Sequence, residues 1–464
     1  MKRPFTSECR RALLVLFTFI PSIVLANPES RVEENGPQKV SIGDQIRFNV
    51  EKFQLPNGLT VILHEDHSAP LVSYHTWFRV GSKDEEKGFT GIAHLFEHMM
   101  FRGTKRYGPG EFDRVLQANG AVNNAFTSYD YTGYYEIFPS SKLELIMDIE
   151  SDRMVNLQIS DEHLKSEREV VKEERRLRFE DNPLGALYLL LYRTAFKVHP
   201  YGWPVIGTME DLNRVTVEKA NEFYRTYYAP NNAVLVIAGD IKPAEVKKLV
   251  HKYYGHLKPQ EIPKRERPKE PAQRAIRSYQ TRKNIQSLQF AVGYHVPAVG
   301  SDESYALDLL ANILGYGNSS RMYQRLVYRE QIATSVSVYN LTMQDSGLFR
   351  IFVTLKPGAD YAQAQKAVYG EMWRPANIRI KDDELEKAKN QVMKGYVDAL
   401  KTAHGKAYAL ALNEIYFGDY ERLFKDLEKY EQVTADQIKQ VAKKYLNPYQ
   451  STLVILKPRK DGGN

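Results

Sequence analysis

The sequence predicts an α+β protein of two homologous αβ domains, each a mixed or antiparallel sheet flanked by helices, joined by a linker rich in proline and charge. Three observations carry this. Strand-type and helix-type stretches alternate along the chain. The segment "VTVEKANEFYRTYYAPNNAVLVI" (215–237) aligns without gaps, at a shift of 218, with "VTADQIKQVAKKYLNPYQSTLVI" (433–455). A shared helix–turn–strand preference gives part of that pattern, but Val, Thr, a Tyr, a Pro and a Leu-Val-Ile run all coincide, which points to duplicated domains. Between the two halves, "KPQEIPKRERPKEPAQR" (258–274) is dense in proline and charge and reads as an extended, solvated linker. With 464 residues the chain also exceeds one ordinary domain.

In chain order, residues 1–11 carry Lys2, Arg3, Arg10 and Arg11 against Glu8, and "ALLVLFTFIPSIVLA" follows, ending at Ala26. A basic start, a short apolar run and a small terminal residue describe a secretory signal peptide over residues 1–26, cleaved after Ala26. The alternative is an uncleaved anchor, though the run is short for a span; membrane association is expected only in that case. Cleavage removes four positive charges and one negative, taking the net charge from +7 to +4. No concentrated basic patch remains outside the linker, where glutamates are interleaved, so nucleic acid is not an expected partner. The only cysteine, Cys9, leaves with the signal. The mature chain is therefore expected to be periplasmic or secreted and free of thiols, and any metal site must use His, Asp and Glu.

Residues 27–44 read as a loose arm, and the first domain as 45–257. "FQLPNGLTVILHED" is strand, Pro-Asn-Gly turn, strand. "LVSYHTWFRVGS" (71–82) is a strand rich in β-branched and aromatic residues. Helical patterns follow to about residue 101 and over 111–118, 141–157, 161–178 and 184–197, with Asn182-Pro183 expected to close the one ending at 178. "AVLVIAGDI" (233–241) is a buried strand. The linker is placed at 258–278 and the second domain at 279–464.

The chemistry centres on "TGIAHLFEHMM" (90–100). His94 and His98 lie one helical turn apart on one face, with Glu97 beside them. Imidazole nitrogens suit zinc, a catalytic site keeps one position open for water, and a carboxylate there can take that water's proton and pass it to a leaving amine. This is the inverted form of the His-Glu-x-x-His motif. The bland alternative is a core helix with two hydrogen-bonded histidines, since Leu95, Phe96, Met99 and Met100 can bury its other side. Two histidines leave the site one protein ligand short. In "LKSEREVVKEERRLRFED" (164–181), Glu167 and Glu174 lie two turns apart on one face. Taken alone, that stretch reads rather as a solvated helix with salt bridges to Lys172, Arg175, Arg176 and Arg178. His199 reads as a loop or packing residue, and His64, His67, His75 and His295 have no metal-type spacing.

Taken together, "TGIAHLFEHMMFRGT" (90–104), "GAVNNAFTSYDYTGYY" (120–135) and "EREVVKEE" (167–174) resemble the pitrilysin/insulinase superfamily of zinc metallopeptidases, and most of all its short bacterial members and the mitochondrial processing peptidase group. The resemblance covers nearly the whole mature chain. It implies one zinc ion per chain held by His94, His98 and Glu174, with Glu97 as general base and Glu167 supporting a ligand histidine. It implies that Asn124 and Ala125, with Phe126 beside them, form a strand edge that pairs with an extended peptide or unfolded-protein substrate by β-augmentation. Single-chain active members also carry, in the second half, an arginine and a tyrosine seven residues later. In "SSRMYQRLVYREQIATSV" (319–336) those positions hold Val327 and Thr334, neither of which can hydrogen-bond a developing oxyanion as that pair does. Arg329 could substitute only through a register slip of two, and Arg321 reads as structural. In the family's two-chain members a related subunit supplies the pair. The expectation is a zinc endopeptidase subunit that works with a related partner of the same fold, as a heterodimer or a homodimer. The competing expectation is a non-catalytic peptide-binding or structural subunit.

Overall fold

The computed structural model describes residues 46–264 and 266–459, together with residue 43. The expected signal segment (1–26) and, apart from residue 43, the expected arm (27–44) lie outside the described residues. Six strands form the first sheet: β1 (Glu51–Gln54), β2 (Thr60–Glu65), β3 (Leu71–Phe78), β4 (Val122–Thr127), β5 (Thr132–Pro139) and β6 (Ala233–Gly239). Their spatial order is β1-β2-β6-β3-β5-β4, with only β2 and β6 parallel. The second sheet holds β7 (Arg277–Lys283), β8 (Gln289–Val296), β9 (Ala333–Thr342), β10 (Gly347–Leu355) and β11 (Thr452–Pro458), in the order β7-β11-β8-β10-β9. Only β7 and β11 are parallel. Apart from the extra edge strand β1, the two sheets repeat one pattern.

The first half adds helices α1 (Ile92–Met99), α2 (Glu111–Ala118), α3 (Leu143–Asn156), α4 (Asp161–Arg175), α5 (Pro183–Ala195), α6 (Met209–Arg214), α7 (Val217–Tyr227) and α8 (Pro243–Tyr254). The second adds α9 (Asp302–Gly315), α10 (Tyr361–Asn377), α11 (Asp382–Ala399), α12 (Ala403–Phe417), α13 (Arg422–Gln432) and α14 (Ala435–Tyr445). The matching letters of the repeat have matching jobs. Thr216 caps α7 by accepting the Lys219 N–H, and Thr434 caps α14 by accepting that of Gln437. Pro230 and Pro448 each open a short 3-10 turn, and the Leu-Val-Ile runs lie in β6 and β11.

Both sheets are covered on both faces, and the two halves exchange a helix to achieve this. Alternate residues of β6 point to opposite sides. Leu235 and Ile237 join α1 and the other helices of their own half, whereas Val234, Val236 and Ala238 pack with Leu410, Ala411 and Ile415 of α12. Reciprocally, Ala186, Leu187 and Leu191 of α5 pack on Ala291, Val454 and Leu456 of the second sheet. A Cβ at Gly293 would sit 3.1 Å from Leu191, which is why glycine suits that position. Because α12 seals the first sheet, Leu410→Ala is expected to cost about 2–5 kcal/mol and leave one cooperative unfolding transition. Two resolved transitions in denaturant would contradict the exchange.

A buried polar group ties the same boundary. Lys83 pairs with Asp130 at 2.7 Å and donates to Gln344 of the second half. Tyr201 and Tyr416 donate to the two oxygens of Asp130 at 2.6 and 3.1 Å.

Two expectations change. The linker is extended but not merely solvated: Glu270 accepts the N–H groups of Lys197, Val198 and His199, Arg267 pairs with Asp84, and Gln273 is buried against Ser451. It also ends sooner than 278, because β7 begins at Arg277. Asn182-Pro183 opens a helix instead of closing one, with Asn182 accepting the Leu184 and Gly185 N–H groups at the start of α5. The preceding helix ends at Arg175 and continues as a π-helical turn, Arg176–Glu180. Among the described residues, no helix is long and apolar enough to cross a membrane.

Candidate metal centre

The motif helix α1 is fixed at its start by groups that the motif itself does not contain. The buried Glu85 carboxylate accepts the Gly91 and Ala93 N–H groups, each at 2.9 Å, at the positive end of the helix. Thr90 donates to Asp211, and Gly91 takes a φ of 92°. A Cβ at Gly91 would lie 2.6 Å from the Gly207 Cα, so backbone meets backbone there. Leu95, Phe96 and Met99 fill the core side, where Phe96 stacks on Tyr224. His94, Glu97 and His98 are left facing a cleft of about 930 Å³.

Glu174, on α4, comes to both histidines. Its Oε2 lies 3.3 Å from His98 Nε2 and 3.7 Å from His94 Nε2. Tetrahedral ligands at about 2.0–2.1 Å from an ion stand about 3.3 Å apart, so these three donors suit zinc. They are the one such group of three among the described residues. Glu174 Oε2 is buried without a hydrogen bond, an orphaned acceptor that a cation would satisfy. Its other oxygen takes a 2.9 Å contact from Arg178 on the π-helical turn. Neighbouring Glu173 faces solvent and pairs with Arg176 at 2.8 Å. The α4 region thus has both characters weighed from sequence, with ion pairs on one face and a carboxylate at the histidines on the other.

Glu167 is buried, and its Oε2 lies 3.2 Å from His98 Nδ1, leaving Nε2 for an ion. Arg102 pairs with the other Glu167 oxygen. No equivalent partner holds His94 Nδ1, which is buried and unbonded. Burial drives the His94 pKa down to about 4, against an opposing pull from Glu174, so the ring is neutral and ready to ligate at neutral pH. Glu174 is pushed up by burial, but its contacts with His98, His94 and Arg178 outweigh this and hold it below the usual carboxylate range. Glu167→Gln is expected to weaken zinc affinity about 10–100-fold, checked by competition with a chelator.

Glu97 is raised above the usual carboxylate range by burial, with the Thr127 hydroxyl opposing the shift. That hydroxyl donates to Glu97 Oε2 at 2.5 Å. Thr127 was not singled out from sequence; its place within "NNAFTS", three residues after Asn124, was the available signal. Asn124, Ala125 and Phe126 lie on β4, which among the described residues pairs only with β5 and so presents one of the two edges of the first sheet. All three line the same cleft. The Asn124 side chain accepts the Ala125 N–H at 2.8 Å. The Phe126 ring packs edge-on against Trp77 and close to Tyr408 of α12, so much of its surface serves the junction between the halves.

Every residue lining the cleft comes from the first half. Val327 packs against the second half's core, and the Thr334 hydroxyl is spent on the Thr354 carbonyl. Arg321 is held bidentately by Glu384 at 2.6 and 2.7 Å. His199 accepts the Tyr201 N–H and lies 3.2 Å from Asp345. His75 meets His404 at 3.1 Å without an acidic group to complete a metal site.

A two-sheet fold with an inverted zinc motif on its first sheet defines a class of metallopeptidase. Residues 60–209 match the family model "Insulinase (Peptidase family M16)", and residues 214–392 match "Peptidase M16 inactive domain". The zinc protease PqqE of Helicobacter pylori is 32% identical over 417 residues, covering 88% of this chain and 93% of that protein. An uncharacterised zinc protease of Mycobacterium leprae is 28% identical over 410 residues, covering 86% and 90%. The crystal structure of a protease from Helicobacter pylori superposes with a TM-score of 0.85 at 30% identity, covering 89% of this chain and all of that one. The chain belongs to peptidase family M16.

Proposed function

We propose that this chain is the zinc-bearing subunit of an endopeptidase that cleaves extended peptides outside the cytoplasm. The observation that carries the reading is the convergence of His94, His98 and Glu174 on one point beside Glu97, in a cleft bordered by a free strand edge. His94, His98 and Glu174 would hold zinc, which when bound supplies a Lewis acid for the scissile carbonyl and lowers the pKa of water to about 7. Glu97 then takes the proton of the attacking water and delivers it to the leaving amine. Burial raises its pKa above the usual carboxylate range, which helps a group that must accept a proton and then give it up. Thr127 holds the carboxylate in place, and Glu167 orients His98. β4 offers its unpaired edge to the substrate main chain.

The oxyanion-binding pair is to come from a related subunit, because Val327 and Thr334 stand where this chain would carry it. The inactive-domain match over 214–392 accords with a second half that, among the described residues, holds no zinc site of its own. The test is a peptide-cleavage assay of the purified chain, alone and with a same-fold partner bearing the arginine and tyrosine; stimulation by the partner is expected. A non-catalytic binding subunit would show no cleavage in either case. In the active assembly, Thr127→Val is expected to lower kcat roughly tenfold or more with KM unchanged, and Thr127→Ser to restore it.

A further inference from the structure

A second pocket, of about 800 Å³, lies behind the start of α1 and shares only Phe179 with the lining of the zinc cleft. Its size is within the range of small-ligand sites. Phe179, Ala186, Leu189, Leu190 and Trp203 give it an apolar wall. Its acids are already answered by basic neighbours. Arg214 contacts Glu210 and Asp211, and Arg175 lies 3.4 Å from the Glu180 carboxylate.

Lys283 donates to the Glu180 carbonyl at 2.6 Å, and two further cations remain over. Lys87 and Arg193 line the pocket, are exposed, and have no hydrogen-bond or ion-pair partner among the described residues. Arg175 is already committed, its Nη1 to the Gly207 carbonyl and its Nε to the Glu180 carboxylate, so Lys87 and Arg193 are the cations open to a ligand. An apolar wall with surplus positive charge at the mouth selects an amphipathic anion. The carboxylates of Glu180 and Glu210 disfavour a multiply charged head group.

We infer that this pocket binds a carboxylate on an apolar body, as found in a medium-chain fatty acid or at the free C-terminus of an apolar peptide. The site is distinct from the zinc cleft and does not depend on the peptidase reading. Calorimetric titration of the full chain with decanoate, decanol and acetate tests it, with acetyl-Leu-Leu-Phe as free acid and as amide separating the two sources. Saturable binding of at least one of the two apolar carboxylates is expected below about 1 mM. That ligand should bind at least tenfold more weakly to Lys87→Gln/Arg193→Gln and to Leu189→Ser, which lie on exposed or half-buried surface. Its neutral counterpart should bind at least tenfold more weakly, and acetate not at all. Affinity unchanged in the double variant, equal binding of the neutral counterpart, or no binding of either carboxylate overturns the inference.

Discussion

Glu97→Gln is expected to lower kcat in the active assembly by about 10²–10⁴-fold while leaving zinc content unchanged. Glutamine keeps the side-chain length and can still accept the Thr127 hydroxyl, so the cleft keeps its shape. What is lost is the proton acceptor. The proposed metal donors lie on His94, His98 and Glu174, which the substitution leaves in place. Substrate contacts along β4 are also untouched, so the loss should fall on kcat and not on KM. A variant that cleaves at the unmutated rate would remove Glu97 from the mechanism.

Arg153→Met is expected to destabilise the fold by about 3–5 kcal/mol. Arg153 is 1% exposed and lies between Glu136, at 3.2 Å, and Glu150, at 2.6 Å, themselves nearly inaccessible. Its guanidinium also sits 4.6 to 5.3 Å from the ring centroids of Phe101, Phe112 and Tyr134. Burial pushes Glu136 well above the usual carboxylate range, and the neighbouring Glu150 adds to the shift. Removing the guanidinium leaves two buried carboxyl groups without their cation. Adding Glu136→Gln and Glu150→Gln to Arg153→Met should recover part of the loss, because a neutral set carries a smaller desolvation cost. Urea unfolding measures both; a loss below 1 kcal/mol for the single change would mean that water reaches the group.

Local periodicity was enough to place most elements of the first half, and in the second half only those of the repeat. The 111–118 helix has the expected bounds, and the repeat at 215–237 and 433–455 was visible because capping threonine, turn proline and strand residues recur at fixed spacing. The exchange of α5 and α12 was not visible. An apolar helix face looks the same in sequence whichever sheet it covers, and only topology decides between them. The two histidines and Glu97 were legible because a helical turn fixes their relation. Glu174 was one of several acids on its helix, and the geometry separates it from Glu173 by the face each occupies. Thr127 was hidden because its contact with Glu97 crosses from a strand edge to a helix 30 residues away. The linker's anchoring contacts were hidden for a related reason: some of its charged residues have partners far away in sequence, such as Asp84 for Arg267.

On the proposed reading this chain holds the metal half of an active site, and a related subunit supplies the oxyanion-binding half. The most direct measurement is the zinc content of the purified chain together with its peptidase rate, without and with a same-fold partner carrying the arginine and tyrosine. A site divided in this way gives one zinc per chain, little cleavage alone, and a large rise in kcat when the partner is added. A zinc-loaded chain that reaches full activity by itself would contradict it.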